Sequence, residues 1–522
     1  MSSIPRWLLR SGAGTLAVVA GLVAFTAAAG FAGSIVASAI AGGILGIVVL
    51  GRVLWGPWST VTLAGSAPGV QRLFAIGAPL LLAQLVFATA FIIDPNLVRW
   101  EARPWTPQRS NHSCVSSYWV ACEHVDTASD VYAEKIYSMP QADPRAIRVG
   151  RHIGPLIVDQ YEYPPPFLVL PRLIAAGTGD FWGFRRVWFA LNLAVVVAGL
   201  IIVATRFDGA LATGALWLTP FALLAPAMVS TLIMGNVQLA IIAASMIAMV
   251  LFERGRYAAG GGLLAYAIVS KMYPGLLLLY LLLRRDWRPV VWTVVCAIAI
   301  VGIATADFGI GPYAAFARHL PKLLSGEAFP AFRNPIAIAI NESVPGLVFK
   351  LQLFGVPHMG FAASRAIGWI YTIIAVALVA RFARRPVAAG REPLAWIAIL
   401  IVATMRSPFL PTYAPFPSLW LATLLAALTW GRSGVFTTTL VAWGVLAFTF
   451  GTAGAPPTVN AIWTFTHTIA AFVLVAIVLR DTPAPLEGRA ADRVGRSLRA
   501  SGTTWVSTIQ RSKIVRPSVR VV

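Results

Sequence analysis

The sequence predicts an all-α polytopic membrane protein, and its composition and apolar segments support this fold class. Apolar residues make up 58% of the 522-residue chain and charged residues only 12%, with a mean hydropathy of +0.76. Several uncharged segments reach about 18 residues, the length that crosses a hydrocarbon layer of about 30 Å. They are continuously apolar, which does not fit the alternating strands of a barrel. An ordinary soluble enzyme, a disordered chain and a disulfide scaffold are excluded.

The apolar segments predict about 14 transmembrane helices. Residues 12–51 carry no charge and are too long for one span, so they predict a hairpin that turns near Gly30–Gly33. The alternative is a signal peptide with Arg6 and Arg10 at its charged end. A third span ends at Asp94. The spans after the hairpin are predicted over 73–93, 187–205, 209–226, 237–252, 257–272, 274–283, 289–305, 362–380, 393–409, 414–430, 434–451 and 461–479.

The distribution of charge predicts the topology. The chain has a net charge of +21, and Lys and Arg concentrate in the short loops expected on the cytoplasmic side of a plasma membrane. Both termini are therefore expected in the cytoplasm, and no nucleic-acid partner is expected. The predicted parts are a transmembrane hairpin with a cytoplasmic loop (1–72), a transmembrane core (73–479) and a basic cytoplasmic tail (480–522). Two large extracytoplasmic loops are predicted at 94–186 and 306–361, either for membrane-surface chemistry or as a binding ectodomain.

The three cysteines predict little cofactor chemistry. Cys114 and Cys122 lie in the first outer loop, where an oxidising compartment permits a disulfide. On one helix, however, they would lie about 12 Å apart and could not bond, so the pairing stays open. Cys296 falls in a predicted span. Because no paired Cys/His spacing occurs, neither a metal nor another cofactor is expected.

Carboxylates in the first outer loop are the candidate general bases. Asp94 ends a span, so its carboxylate is expected at the outer membrane surface, where it can accept a proton from a hydroxyl. A water-facing helix end is the alternative. Asp159 and Glu162 flank three prolines, Pro164–Pro166, which can start but not continue a helix. A stiff loop leading into a short interfacial helix over 167–176 is expected there. Asp130 is a further candidate base.

Cations near the outer ends of spans predict a site for an anion such as a phosphate. Lys271 lies within a long apolar run and Arg406 interrupts a span, and charges in such places are functional hypotheses by default. Snorkelling of the Lys271 side chain to the surface is the alternative. Arg333 in the second outer loop is a weaker candidate, because a solvated turn also explains it.

Polar side chains near these cations are expected to bind a sugar or an acceptor. Asn236 and Gln238 lie at the outer start of a span, where a helix cap is the alternative. Trp119 and Trp182 offer apolar faces to a sugar ring or a lipid. The further candidates for sugar or acceptor binding are His112, Tyr163 and Asn341. Together the cations and carboxylates suggest that a lipid-linked phosphate leaves while a hydroxyl is deprotonated.

The order of six short motifs resembles glycosyltransferase family 87 over about residues 73–430. In chain order the motifs are YPPPF at 163–167, GNVQ at 235–238, ERGRYAAGG at 253–261, SKMYP at 270–274, RRDWR at 284–288 and NESVPG at 341–346. The resemblance implies a GT-C fold and an inverting, metal-independent sugar transfer at the outer membrane face. The implied donor is a polyprenyl-phosphate sugar, mostly mannose, and the acceptor a glycolipid or glycan within a bacterial cell envelope.

The first outer loop departs from the family pattern. Cys114 or a neighbour occupies the place of the aspartate that the resemblance implies, so Asp94, soon after the first core span, is the expected base instead. Two other functions stay open. One is another GT-C activity, such as arabinofuranosyl transfer. The other is a transporter or lipid flippase, although no internal repeat supports it.

Overall fold

The predicted membrane-embedded helical protein is confirmed. The structure is a computed structural model that describes residues 6–55, 68–94, 112–143, 145–207, 209–385, 387, 390–411, 415–430, 433–448 and 455–480. The predicted basic tail and parts of both terminal regions lie outside these residues. The first helices are α1 (Arg6–Ala32), α2 (Ile35–Trp55), α3 (Pro68–Ile93), α4 (Cys114–His124), α5 (Val169–Thr178), α6 (Phe181–Ala204), α7 (Gly209–Leu224), α8 (Pro226–Met234), α9 (Gln238–Glu253) and α10 (Tyr257–Lys271). The strands of a short sheet lie before α4 and between α4 and α5.

The second half of the described chain is also helical. Its helices are α11 (Gly275–Leu283), α12 (Trp287–Phe308), α13 (Gly311–Ser325), α14 (Pro335–Ala339), α15 (Leu347–Leu353), α16 (Phe361–Arg384), α17 (Glu392–Thr404), α18 (Phe416–Thr429), α19 (Ser433–Ala447) and α20 (Pro457–Arg480). Short 3₁₀ turns occur at Glu134–Ile136, Pro165–Leu168 and Pro330–Arg333. Helices α9, α17 and α18 are buried along almost their whole length and form the centre of the core.

Every predicted span coincides with a helix, but the number of membrane crossings differs from the prediction. Among the described residues, six helices are long and apolar enough to cross a bilayer: α1 from residue 13 onward, α3, α6, α12, α16 and α20. A seventh crossing results if α7 and α8, which meet at an angle of 68°, form one broken span. Pro226 at the start of α8 explains the break, because proline disfavours helical geometry in the residue before it. The count of 14 spans and the loop topology stay predictions.

The N-terminal hairpin forms as predicted, with α1 and α2 separated at residues 33–34. Gly33 adopts a φ of +63°, which suits a glycine at the turn. The two helices approach so closely that a Cβ added at Gly42 would lie 2.7 Å from the carbonyl oxygen of Gly21. A Cβ at Gly30 would lie 2.7 Å from the carbonyl oxygen of Gly183 in α6. Small residues therefore pack the hairpin directly against the core.

The segments 94–186 and 306–361 keep the names first and second outer loop, after the predicted topology. The first of them is folded from residue 112 onward. A three-stranded sheet of β1 (His112–Ser113), β2 (His152–Ile153) and β3 (Leu156–Val158) has the order β1-β3-β2, parallel between β1 and β3 and antiparallel between β2 and β3. The prolines begin a 3₁₀ turn that continues into α5, so the predicted short helix is confirmed. Cys114 and Cys122 both lie on α4 and are free. The open question of a disulfide is therefore answered against it.

Candidate active site

One cavity of about 960 Å³ collects most of the predicted site residues. Its walls come from the first outer loop, the α8–α9 and α10–α11 junctions, the second outer loop, α16, the segment after α17, and α20. The volume lies at the upper end of the range for small-molecule sites, so a sugar with its phosphate would fit. The predicted residues that line it are His112, Asp159, Glu162, Tyr163, Asn236, Gln238, Lys271 and Arg406.

Lys271 ends α10 and faces the cavity. The next residue, Met272, has a φ of +52°, and α11 starts only after Pro274. This break in an otherwise apolar stretch turns the Lys271 side chain towards the first outer loop. Its Nζ lies 4.5 Å from the centre of the Tyr163 ring, a cation–π contact that holds the charge at the cavity wall.

Arg406 approaches the same cavity from the segment that follows α17. Its Nε donates a hydrogen bond of 2.6 Å to Oγ1 of Thr372 in α16, and its guanidinium lies 5.9 Å from the centre of the Trp369 ring. A Cβ added at Gly368 would lie 3.1 Å from the guanidinium, so the glycine lets the side chain lie along α16. Within the described residues, the two terminal amino groups of Arg406 make no hydrogen bond to protein.

Glu162 is the most deeply buried acid of the cavity, with 9% of its side chain exposed. Its Oε2 lies 2.5 Å from Nε2 of His319 in α13, while Oε1 has no hydrogen-bond partner in the described part of the chain. Burial raises the pKa of Glu162 to about 7, and the contact with His319 opposes this rise. A carboxyl group poised near neutral pH, with one oxygen unsatisfied, is suited to accept a proton.

Aromatic packing fixes the Glu162–His319 pair. The His319 ring stacks on Tyr132, with centroids 4.5 Å apart and planes at 15°. Tyr132 donates a hydrogen bond to the carbonyl oxygen of Tyr163, and the hydroxyls of Tyr118 and Tyr163 lie 2.8 Å apart. The two outer loops are thus joined beside the cavity by a rigid aromatic cluster.

Asp159 and His112 form an ion pair at the cavity wall, with 3.3 Å between Oδ2 and Nε2. Burial alone would lower the pKa of His112, but Asp159 and Cys114 raise it well above its ordinary value. Burial alone would raise the pKa of Asp159, but His112, Arg148 and the Gln160 N–H outweigh it and lower that pKa. Both groups are therefore charged at neutral pH.

The side chain of Cys114 lies next to those of Asp159 and His112. The Cys114 Sγ lies 3.5 Å from His112 Nε2, and one potential ligand atom from each of the three residues lies within 4.8 Å of the other two. This spacing is compatible with a group of metal ligands. Sequence analysis did not foresee the group, because Asp159 is distant in the chain and only the register of β1 beside β3 brings it to the other two.

The amides Asn236 and Gln238 line the cavity at the break between α8 and α9. Gly235, with a φ of +71°, ends α8, and the Oδ1 of Asn236 accepts a hydrogen bond of 3.0 Å from the Gln238 backbone. The Nδ2 of Asn236 lies 3.4 Å from Cys114 Sγ. Asn236 therefore accepts a hydrogen bond at the start of α9, as the capping alternative predicted. The same residue also lines the cavity.

Two predicted bases lie away from the cavity. Asp94 is exposed at the end of α3 and is not among the lining residues. The Oδ1 of Asp130 accepts the backbone N–H of Tyr132 in a local turn, and Asp130 does not line the cavity either. This placement does not favour Asp94 or Asp130 as the base, because a base must reach the acceptor hydroxyl.

Arg333 and Asn341 also lie outside the cavity lining. Arg333 makes a bidentate ion pair with Glu134, with both N···O distances at 2.9 Å, which joins the two outer loops. The Nδ2 of Asn341 donates to the carbonyl oxygen of Pro408, and its Oδ1 accepts from the Leu410 N–H. Phosphate binding by Arg333 and sugar binding by Asn341 therefore lack support, because other contacts occupy these groups.

Aromatic residues at the cavity differ from those that the sequence suggested. Trp119 packs against Phe181 and Phe184, and Trp182 packs against Phe181, away from the lining. Trp369 and Trp463 line the cavity instead. They escaped sequence analysis because tryptophans in apolar helices usually pack in the core or face lipid. His319 escaped it because its partner lies 157 residues away.

Comparison with known proteins agrees with the motif order. Residues 161–410 match the family model described as glycosyltransferase family 87, whereas no curated protein and no solved structure matches the chain. The matched segment contains Glu162, Lys271 and Arg406, but not His112, Cys114 or Asp159. The resemblance to glycosyltransferase family 87 is therefore confirmed over residues 161–410, and this match supports a membrane glycosyltransferase.

Proposed function

We propose that the protein transfers a hexose, in the first instance mannose, from a polyprenyl-phosphate donor to a hydroxyl of a glycolipid or glycan at the extracytoplasmic face of the plasma membrane. The transfer inverts the anomeric centre, and its chemical step needs no metal. The observation that carries the proposal is the joint presence of two cations, Lys271 and Arg406, and the buried carboxyl group of Glu162 around one cavity.

The cations and the apolar wall suit the donor. Lys271 and Arg406 would bind the phosphate and stabilise the negative charge that grows on it as it leaves. Arginine binds phosphate oxygens in a fork, and lysine acts as a point charge. Apolar side chains of α14, α16 and α20, including Ile336, Trp369 and Trp463, line the same cavity and would accommodate the first units of the prenyl chain.

Glu162 is the base we favour. Its Oε1 would take the proton of the acceptor hydroxyl as the oxygen attacks the anomeric carbon from the face opposite the phosphate. The bond between that carbon and the phosphate oxygen breaks, and the phosphate leaves with the electron pair. His319, on the other carboxylate oxygen, would orient the group. Asp159 is less suited, because its ion pair with His112 lowers its pKa and hence its basicity.

The experiment is a transfer assay with the full-length protein in proteoliposomes. Polyprenyl-phosphate mannose carrying a radiolabel is offered with a glycolipid extract as acceptor, and polyprenyl-phosphate glucose and arabinofuranose are run in parallel. We expect labelled glycolipid with the mannose donor and loss of product with Glu162→Gln. If Glu162→Gln were fully active and Asp94→Asn inactive, the base assignment would be wrong. If label crossed the membrane without forming product, a transporter would be favoured.

A further inference from the structure

The cluster of His112, Cys114 and Asp159 has the composition of a transition-metal site. A thiolate, an imidazole and a carboxylate are the ligands from which proteins build zinc sites. Hard cations such as Mg²⁺ prefer oxygen ligands alone, so the sulfur argues against them. The three residues come from two separate segments, and the parallel register of β1 beside β3 sets their places.

The spacing of the ligand atoms agrees with tetrahedral zinc. From the usual Zn²⁺ bond lengths, adjacent nitrogen and oxygen ligands lie about 3.3 Å apart, and nitrogen and sulfur about 3.5 Å. In the structure, His112 Nε2 lies 3.3 Å from Asp159 Oδ2 and 3.5 Å from Cys114 Sγ. All three ligand atoms lie within 4.8 Å of one another. An ion could therefore bind with only small side-chain movements.

Surrounding hydrogen bonds hold two of the three ligands in place. The Oδ1 of Asp159 accepts the N–H of Gln160, which leaves Oδ2 to face His112. The backbone N–H of Asp159 donates to Ser116 Oγ, and the Nδ2 of Asn236 approaches Cys114 Sγ. Such outer partners orient the ligands of known metal sites and tune their affinity.

We propose that His112, Cys114 and Asp159 bind one Zn²⁺ ion at the wall of the cavity. The ion would cross-link the start of α4 to the end of β3 and leave its fourth position open towards the cavity for water. This site goes beyond the sugar transfer, because its residues lie outside the segment 161–410 that matches the family. It also does not take part in the proposed chemical step, for which Glu162 and the two cations suffice.

The test measures metal directly. Full-length protein in detergent is loaded with Zn²⁺, freed of excess ion and analysed by elemental mass spectrometry; Co²⁺ is then substituted and its absorption recorded. We expect one equivalent of zinc and a thiolate-to-cobalt charge-transfer band. Cys114→Ser and Asp159→Asn should weaken binding by more than the roughly 10–100-fold that loss of an outer-shell partner causes.

Cys122→Ser is the matched control. Cys122 lies on the same helix and is also buried, but burial raises its pKa to about 12, so it is a poor metal ligand. This variant should bind zinc and show the cobalt band as the unaltered protein does. Should Cys114→Ser fail to fold, protection of Cys114 from alkylation by Zn²⁺ in the unaltered protein provides the readout. The proposal would be overturned by a zinc content well below one equivalent after loading, or by a Cys114→Ser variant that binds as much zinc as the unaltered protein. It would also be overturned if Zn²⁺ did not protect Cys114 from alkylation.

Discussion

The pH dependence of sugar transfer is the most direct test of the role of Glu162. A base must be ionised to accept a proton, and burial raises the pKa of Glu162 to about 7. A carboxyl group with that pKa is about 9% ionised at pH 6 and about 91% at pH 8. We therefore expect kcat/KM to rise about tenfold between these values, with a midpoint near pH 7. An ordinary glutamate, with a pKa of about 4.3, would give a flat profile over this range.

Two variants connect the profile to the Glu162–His319 pair. Glu162→Gln keeps the shape of the side chain but cannot take the proton, so we expect transfer to fall by about 10²–10⁴-fold. His319→Asn removes a group that lowers the pKa of Glu162, so the midpoint should move above pH 7 in addition to any loss of rate. This shift separates a positioning role of His319 from a merely structural one.

The chain offers a matched control in a second buried pair. Oε1 of Glu342 lies 2.6 Å from Nδ1 of His467, and neither residue lines the cavity. In the folded fraction of Glu342→Gln, the midpoint of the pH profile of transfer should be unchanged. The assay is initial-rate transfer from radiolabelled polyprenyl-phosphate mannose in proteoliposomes between pH 5.5 and about 8.5, a range centred on the expected midpoint. A profile that does not change with pH, or one whose midpoint moves equally in Glu342→Gln, would refute the reasoning.

Three further predictions concern the remaining site residues. Lys271→Ala should raise the KM for the lipid donor by at least about tenfold. Arg333→Ala should leave this KM unchanged, because Arg333 is paired with Glu134 outside the cavity. Steady-state kinetics with varied donor concentration test both variants. Gly368→Val should displace the Arg406 guanidinium and likewise weaken donor use, which an equal donor KM would contradict. Asn341→Ala should lower the unfolding free energy by about 1–3 kcal/mol, seen as a lower melting temperature in detergent, without changing the donor KM of the folded fraction.

The helices and several breaks were predictable because they follow from local sequence. Apolar runs produced helices at every predicted span, and the gap predicted between the spans 257–272 and 274–283 coincides with the stop before Pro274. The break at Pro226 was not predicted. The cavity position of Lys271 was predictable too, because a charge inside an apolar run is costly without a polar surrounding. The number of crossings was not predictable, since a 13-residue helix such as α17 reads as a span in sequence although it is too short to cross alone.

Much of the site depends on contacts between distant segments, which local patterns do not reveal. His319 meets Glu162 across 157 residues, and Asp159 meets His112 through strand pairing. Asp94 and Asp159 look alike in sequence, as acids beside an apolar segment. Only the fold shows that one is exposed at a helix end while the other faces the cavity. Similarly, the amide of Asn341 could hydrogen-bond a sugar, but in the fold its Nδ2 donates to the carbonyl oxygen of Pro408.

A single tripeptide positions both kinds of charge in the cavity. The rings of Tyr161 and Tyr163 pack together, with centroids 5.7 Å apart, while Glu162 between them extends to His319. The Tyr163 ring in turn supports Lys271. Prolines follow at once and restrict the backbone, so the proposed base and the ring that contacts Lys271 lie on one stiff segment. In the proposed chemistry the carboxylate and the cation act on opposite sides of the same sugar carbon. A segment that carries Glu162 and contacts Lys271 through Tyr163 would therefore position both groups, although its aromatic rings carry no charge.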